Sequence, residues 1–166
     1  MACHPFVVDV AAALGDRPGS RPERGREQHQ SSAQVTWGAA LQRKIELLRR
    51  LRDVGPRARD VAALVASLSA EGLMDDVRDY TAAVSSLGRA RLWENALEKL
   101  RQAQQQRLTD TTLYNAAISA CEKGHQWSRA AGVIEEMHLS VIVPDRITFG
   151  ALISACEKGR QWRWAI

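Results

Sequence analysis

Seven consecutive residues, Ile118-Ser119-Ala120-Cys121-Glu122-Lys123-Gly124, recur letter for letter as Ile153-Ser154-Ala155-Cys156-Glu157-Lys158-Gly159, 35 positions later. The correspondence continues beyond them. Gln126-Trp127 answers Gln161-Trp162, and Ala130 answers Ala165. A fixed period of ~20–50 residues marks a solenoid, in which each supersecondary unit buries its apolar face against the next. Such a stack displays a long surface suited to an extended ligand, and catalysis is the weaker expectation from the outset.

The apolar residues between these copies recur at helical spacing. Ile45, Leu48 and Leu51 form one stripe, ended by Gly55-Pro56; Val61, Leu64, Val65 and Leu68 form the next, closed by Gly72. Val77, Tyr80, Ala83, Val84 and Leu87 come after it, then Trp93, Ala96, Leu97 and Leu100. Tyr114, Ala117, Ile118 and Cys121 make a further stripe ended by Gly124, a residue suited to the left-handed turn after a helix. Its partner carries Trp127, Ala130, Ile134 and Met137. Pro144-Asp145 breaks the chain, since proline disfavours helix for the residue before it. The pattern restarts at Ile147, Phe149, Leu152, Ile153 and Cys156. No strand-like alternation competes. The expected fold class is all-α, an α-solenoid of stacked antiparallel helical hairpins, with Trp93, Trp127 and Trp162 as recurring core wedges. Ile166 aligns with Ala131, inside the second helix of a hairpin, so the chain reads as a fragment of a longer array.

Ahead of the array, residues 17–26 (Arg-Pro-Gly-Ser-Arg-Pro-Glu-Arg-Gly-Arg) cannot build a core, and 1–41 reads as a flexible N-terminal arm. Its arginines fit an organelle-targeting segment, while Asp9, Asp16, Glu23 and Glu27 do not. The net charge of +4 is concentrated in residues 35–60, where Arg43, Lys44, Arg49, Arg50, Arg52, Arg57 and Arg59 face only Glu46, Asp53 and Asp60. That excess suits a polyanion, or equally a solvated helix face. Three cysteines without a Cys-x-x-Cys pair give neither a disulfide framework nor a zinc knuckle. Cys121 and His125 lie four apart, but Arg160 stands where the second copy would need its histidine, so no metal is expected. No triad, phosphate loop or deaminase signature is present. An enzyme, a cofactor and a small-molecule substrate are therefore not expected, and no apolar run is long enough to suggest a membrane partner.

The run Thr112-Leu113-Tyr114-Asn115-Ala116-Ala117-Ile118-Ser119-Ala120-Cys121, followed by Gly124, Ala130, Met137 and Pro144-Asp145, resembles a pentatricopeptide repeat. On that resemblance 111–145 is a full repeat and 146–166 an incomplete one. Residues 77–110 form a shorter repeat, aligned by Tyr80 to Tyr114, Trp93 to Trp127 and Ala96 to Ala130, each 34 apart. Residues 42–76 form a degenerate leading repeat. Thr109 and Ala90 depart from the usual proline and turn glycine. The resemblance implies binding of single-stranded RNA, one base per repeat, in organellar RNA processing, stability or translation. It places the chain in a mitochondrion or plastid, with other proteins of an RNA-processing complex as further partners. It also implies that Thr81 with Asp110 reads guanine and Asn115 with Asp145 reads uracil, with Val77, Thr112 and Ile147 clamping the bases. Gly150 occupies the next reading place and has no side chain. Read without the resemblance, Asn115, Thr81, Asp110 and Asp145 are ordinary helix-capping residues. The alternative function is a protein–protein scaffold that holds a peptide or helix in the groove. Stacking contributes ~1–3 kcal/mol per base, so two readers alone bind weakly.

Overall fold

The computed structural model describes the backbone of residues 27–161 and the side chains of 38–161. The chain divides into two units, Met1–Val35 and Thr36–Ile166, and the stacked hairpins belong to the second. Seven helices make up the described residues: α1 (Glu27–Asp53), α2 (Ala58–Ala70), α3 (Val77–Arg89), α4 (Trp93–Gln105), α5 (Thr111–Lys123), α6 (Trp127–Leu139) and α7 (Arg146–Lys158). No strand occurs among them. Helix α1 opens before residue 42, so the stretch 27–41, expected to belong to a flexible arm, is helical. Glutamine and alanine, which are good helix formers, recur in this stretch. Residues 1–26, with the candidate targeting segment, and Trp162 lie outside the described residues.

From α2 onward every helix has 13 residues, a rod of about 20 Å. Helices α3, α5 and α7 lie side by side in one layer; α4 rests on α3 and α5, and α6 on α5 and α7. Tyr114 shows why the stripes fall where they do. Its ring is fully buried, while its hydroxyl meets Gln104 Nε2 at 3.1 Å and Ser140 Oγ at 2.9 Å, so α4, α5 and α6 converge on one phenol. Small residues let the first layer pack closely. A Cβ on Gly88 would stand 2.9 Å from that of Ala120.

The duplicated heptapeptide docks onto its own copy. Glu122 of the first accepts hydrogen bonds from Ser154 Oγ at 2.9 Å and Lys158 Nζ at 2.6 Å of the second. At the other end of the array, Lys44 of α1 pairs with Asp75 and stands 2.6 Å from Asp79 of α3. Burial works against the Lys44 ammonium, but its bonds to the two carboxylates outweigh it and raise the pKa. Asp79 is buried, and an unpaired charge there would be strongly destabilising.

The glycines after α5 and α7 serve a different purpose from the one expected. Gly124 has φ −83° and Gly159 φ −78°, both ordinary right-handed values. The left-handed residues are the next ones along, His125 (φ 58°) and Arg160 (φ 53°). There the Gln126 N–H returns to the Cys121 carbonyl at 2.9 Å and the His125 N–H to that of Glu122 at 3.1 Å, the Schellman closure. What requires glycine is tryptophan. A Cβ on Gly124 would lie 2.5 Å from Trp93 Cδ1, and one on Gly159 2.6 Å from Trp127 Cδ1. Trp93 and Trp127 are thus wedges, as expected, but half-buried ones that seat on the next hairpin. Ala58 opens α2 where Trp93 and Trp127 open α4 and α6, and Ala90 follows α3 where glycine follows α5 and α7. Where the ring is absent, so is the glycine.

Val141 holds the same left-handed turn after α6, at φ 59°, with a branched side chain that is 89% exposed. The conformation costs a non-glycine residue about 1–2 kcal/mol, and little packing goes with the side chain. Val141→Gly is expected to raise stability by about 1 kcal/mol after the added freedom of the unfolded chain is counted. A thermal melt checks this through a rise in Tm of about 2–4 °C.

Candidate nucleic-acid interface

The expected base-reading residues all lie at the N-terminal ends of the first-layer helices. Asp110 and Asp145 are the N-caps of α5 and α7 and accept from the Leu113 and Thr148 N–H groups at 2.7 and 2.8 Å. The capping reading of these aspartates is therefore correct. For Asp145 it is also incomplete.

Asn115, 30 residues earlier on α5, points its amide at the Asp145 carboxylate, with Nδ2 3.1 and 3.3 Å from the two oxygens. A third residue joins them. The Thr148 hydroxyl, fully buried, meets Asn115 Oδ1 at 2.6 Å and Asp145 Oδ1 at 2.9 Å, and accepts from the Asp145 N–H at 3.0 Å. Bonds from the Thr148 N–H, then its hydroxyl and the Asn115 amide, hold the Asp145 carboxyl below its usual range although burial opposes them. It is an anionic acceptor throughout neutral pH. Asp145 itself is exposed and Asn115 half-exposed, so the pair faces solvent.

The other pair is arranged differently. The Thr81 hydroxyl donates to the Val77 carbonyl of its own helix at 2.9 Å. Among the described residues no hydrogen bond joins it to Asp110, because the shorter threonine side chain turns back onto the backbone. Yet Thr81, Asp110, Val77 and Thr112 line one cleft of about 450 Å³ between the starts of α3 and α5. Ile147 occupies the corresponding clamp position on α7, 67% exposed.

The sequence reading missed a second feature. A cleft of about 470 Å³ at the far ends of α3, α5 and α7 is lined by Pro56, Arg89, Arg91, Lys123, His125 and Lys158. Its residues fall in register, Arg89 with Lys123 and Lys158, and Arg91 with His125 and Arg160. Matching columns 34 and 35 apart was the available signal, obscured because the net charge is densest in 35–60. In that segment Arg43, Arg49, Arg50 and Arg52 each have a carboxylate neighbour. Among the described residues none stands within ion-pair distance of Arg91, Lys123 or His125. An intervening cleft of about 670 Å³ shares Arg78, Ala82 and Ser85 with the first and Arg89 and Lys123 with the second. One trough therefore runs the length of α3, with hydrogen-bonding groups at one end and cations at the other.

Cys121 carries no comparable chemistry. It is buried, and burial pushes its thiol up to about 11, leaving it protonated. Among the described residues no cluster of three or more metal-ligating side chains occurs, and no helix is long and apolar enough to cross a membrane.

Helical hairpins stacked in register, with one solvent-facing Asn115–Asp145 pair between α5 and α7, define a helical-repeat protein. Residues 112–140, which cover nearly all of the α5–α6 hairpin, match the family model of the PPR repeat. The chain matches no curated protein.

Proposed function

We propose that this chain binds single-stranded RNA along the α3–α5–α7 layer, one base per hairpin, and acts in organellar RNA processing, stability or translation in a mitochondrion or plastid. The observation that carries the reading is the solvent-facing Asn115–Asp145 pair, 3.1 Å apart, in line with the cleft framed by Val77, Thr81, Asp110 and Thr112. PPR repeats typically bind RNA, and these positions are those at which the family reads bases. An asparagine amide offers a donor and an acceptor that complement the uracil edge, while the smaller threonine leaves space for a purine. Each hairpin is long enough to hold a base at one end and direct its phosphates toward the basic end.

The reading is tested by replacing Asn115 with Thr while Asp145 is kept. Anisotropy titrations with short RNAs varied at one base should show the preference opposite this hairpin moving from uracil to guanine, by about tenfold for a single hydrogen bond. If affinity persists with an unchanged base preference, base reading by this pair is wrong. Binding of a peptide with no response to RNA supports the scaffold reading instead. Organelle import of a fluorescent fusion checks the compartment.

A further inference from the structure

We infer that Thr148 is a positioning residue that sets the base discrimination of Asn115, by fixing the plane of its amide from the next hairpin. The inference rests on the base reading proposed above and names a residue that reading does not include. An asparagine side chain can make four hydrogen bonds. The Asp145 carboxylate takes one N–H, shared between its oxygens at 3.1 and 3.3 Å. The single Thr148 hydroxyl proton, which also faces Asp145 Oδ1 at 2.9 Å, lies closer to Asn115 Oδ1 at 2.6 Å and takes one of its lone pairs. Both ends of the amide are thereby held, leaving one N–H and one lone pair for a ligand.

That remainder matches uracil, whose N3–H donates next to an accepting carbonyl. Cytosine held in the same seat, with N3 facing Oδ1, mismatches it, because that N3 has no hydrogen and the neighbouring amine sets its own N–H against the amide N–H. Asp145 alone determines which end of the amide carries the nitrogen. With only that tether the group can still rock about its side-chain torsions and offer a less directed acceptor. Thr148 is the second tether, and its own geometry is fixed: it is 0% exposed and anchored by the Asp145 N–H at 3.0 Å. The neighbouring pair provides an internal contrast. Leu113 occupies the place in α5 that Thr148 occupies in α7, each the third residue after the capping aspartate. A leucine can donate nothing, and Thr81 has no bond across to Asp110. The two hairpins therefore differ in how firmly their readers are held.

Thr148→Val keeps the shape and removes the hydroxyl; Thr148→Ser keeps the hydroxyl. Titrated with RNAs that differ only in uracil or cytosine, Thr148→Val should lose about tenfold of the uracil preference. Its affinity for the less favoured RNA and its salt dependence should remain, and Thr148→Ser should restore the preference. Side-chain amide spectra give a readout independent of RNA. In the wild type the Asn115 NH₂ protons should exchange more slowly than those of Asn95, the only other asparagine, exposed on α4. The Thr148→Val change should reduce that protection without abolishing it, because the Asp145 tether on Nδ2 remains. Unchanged discrimination in Thr148→Val, or Asn115 protons exchanging as fast as those of Asn95 in the wild type, overturns the inference. A wild type with protected Asn115 protons but no base preference overturns the base reading instead.

Discussion

Replacing Gly124 with alanine, normally a mild change, is expected to destabilise the chain by about 2 kcal/mol. Alanine is the better helix former by ~0.5–1 kcal/mol, which favours the variant. Against that, the added methyl would stand 2.5, 2.9 and 3.1 Å from Trp93 Cδ1, Cγ and Cβ. All three atoms lie at or near the root of a rigid ring, so the whole wedge must move, and overpacking of this kind costs ~1–3 kcal/mol. The second effect wins. A thermal melt should show Tm falling by about 4–8 °C. Trp93→Ala supplies the control in a double-mutant cycle. If the ring is the cause, Trp93→Ala should be less damaging in the Gly124→Ala background than in the wild type. Strict additivity would mean that the ring is not what excludes the methyl.

A comparably large effect is expected on binding from Arg91→Glu combined with Lys123→Glu. Both side chains line the basic cleft, and among the described residues neither has a carboxylate within ion-pair distance. Reversing them leaves the core intact while placing two anions where phosphates are proposed to pass. RNA affinity at low salt should fall by about a hundredfold. The slope of log affinity against log salt should flatten by about one for each phosphate that is no longer neutralised. The base preference opposite Asn115 should be retained. Equal losses at low and high salt would place the phosphates elsewhere. Lys158→Glu makes a poor substitute, because Lys158 is already engaged with Glu122 at 2.6 Å and its reversal would disturb the packing of α5 on α7.

The Asn115–Asp145 pairing was expected only from the resemblance to the pentatricopeptide repeat, whereas the hairpins were legible in the residues because period and spacing are one-dimensional facts. Stripes such as Tyr114, Ala117, Ile118 and Cys121 fell on the buried face for the same reason. What escaped depends on contacts between distant positions. Gly124 looked like a turn residue because glycine usually is one; only the position of Trp93, 31 residues away, shows that it makes room for a ring. Thr148 sits between the apolar Ile147 and Phe149, and its bond to Asn115 spans 33 residues. The basic column keeps its side-chain class but not its residue type, with Arg91, His125 and Arg160 in register, so letter-for-letter recurrence does not reveal it. The early start of α1 was hidden by polar glutamines, which suit a solvated helix as well as a loop.

The bond from Glu122 to Ser154 and Lys158 has a consequence for how such a chain can lengthen. A block whose acidic group grips the hydroxyl and amine of an identical block carries its own adhesive on both sides. Copying in tandem the 35-residue unit that carries this heptapeptide would create a joint that already fits at these residues. Growth by duplication is then stable from the first generation, and divergence at the outward positions can come later.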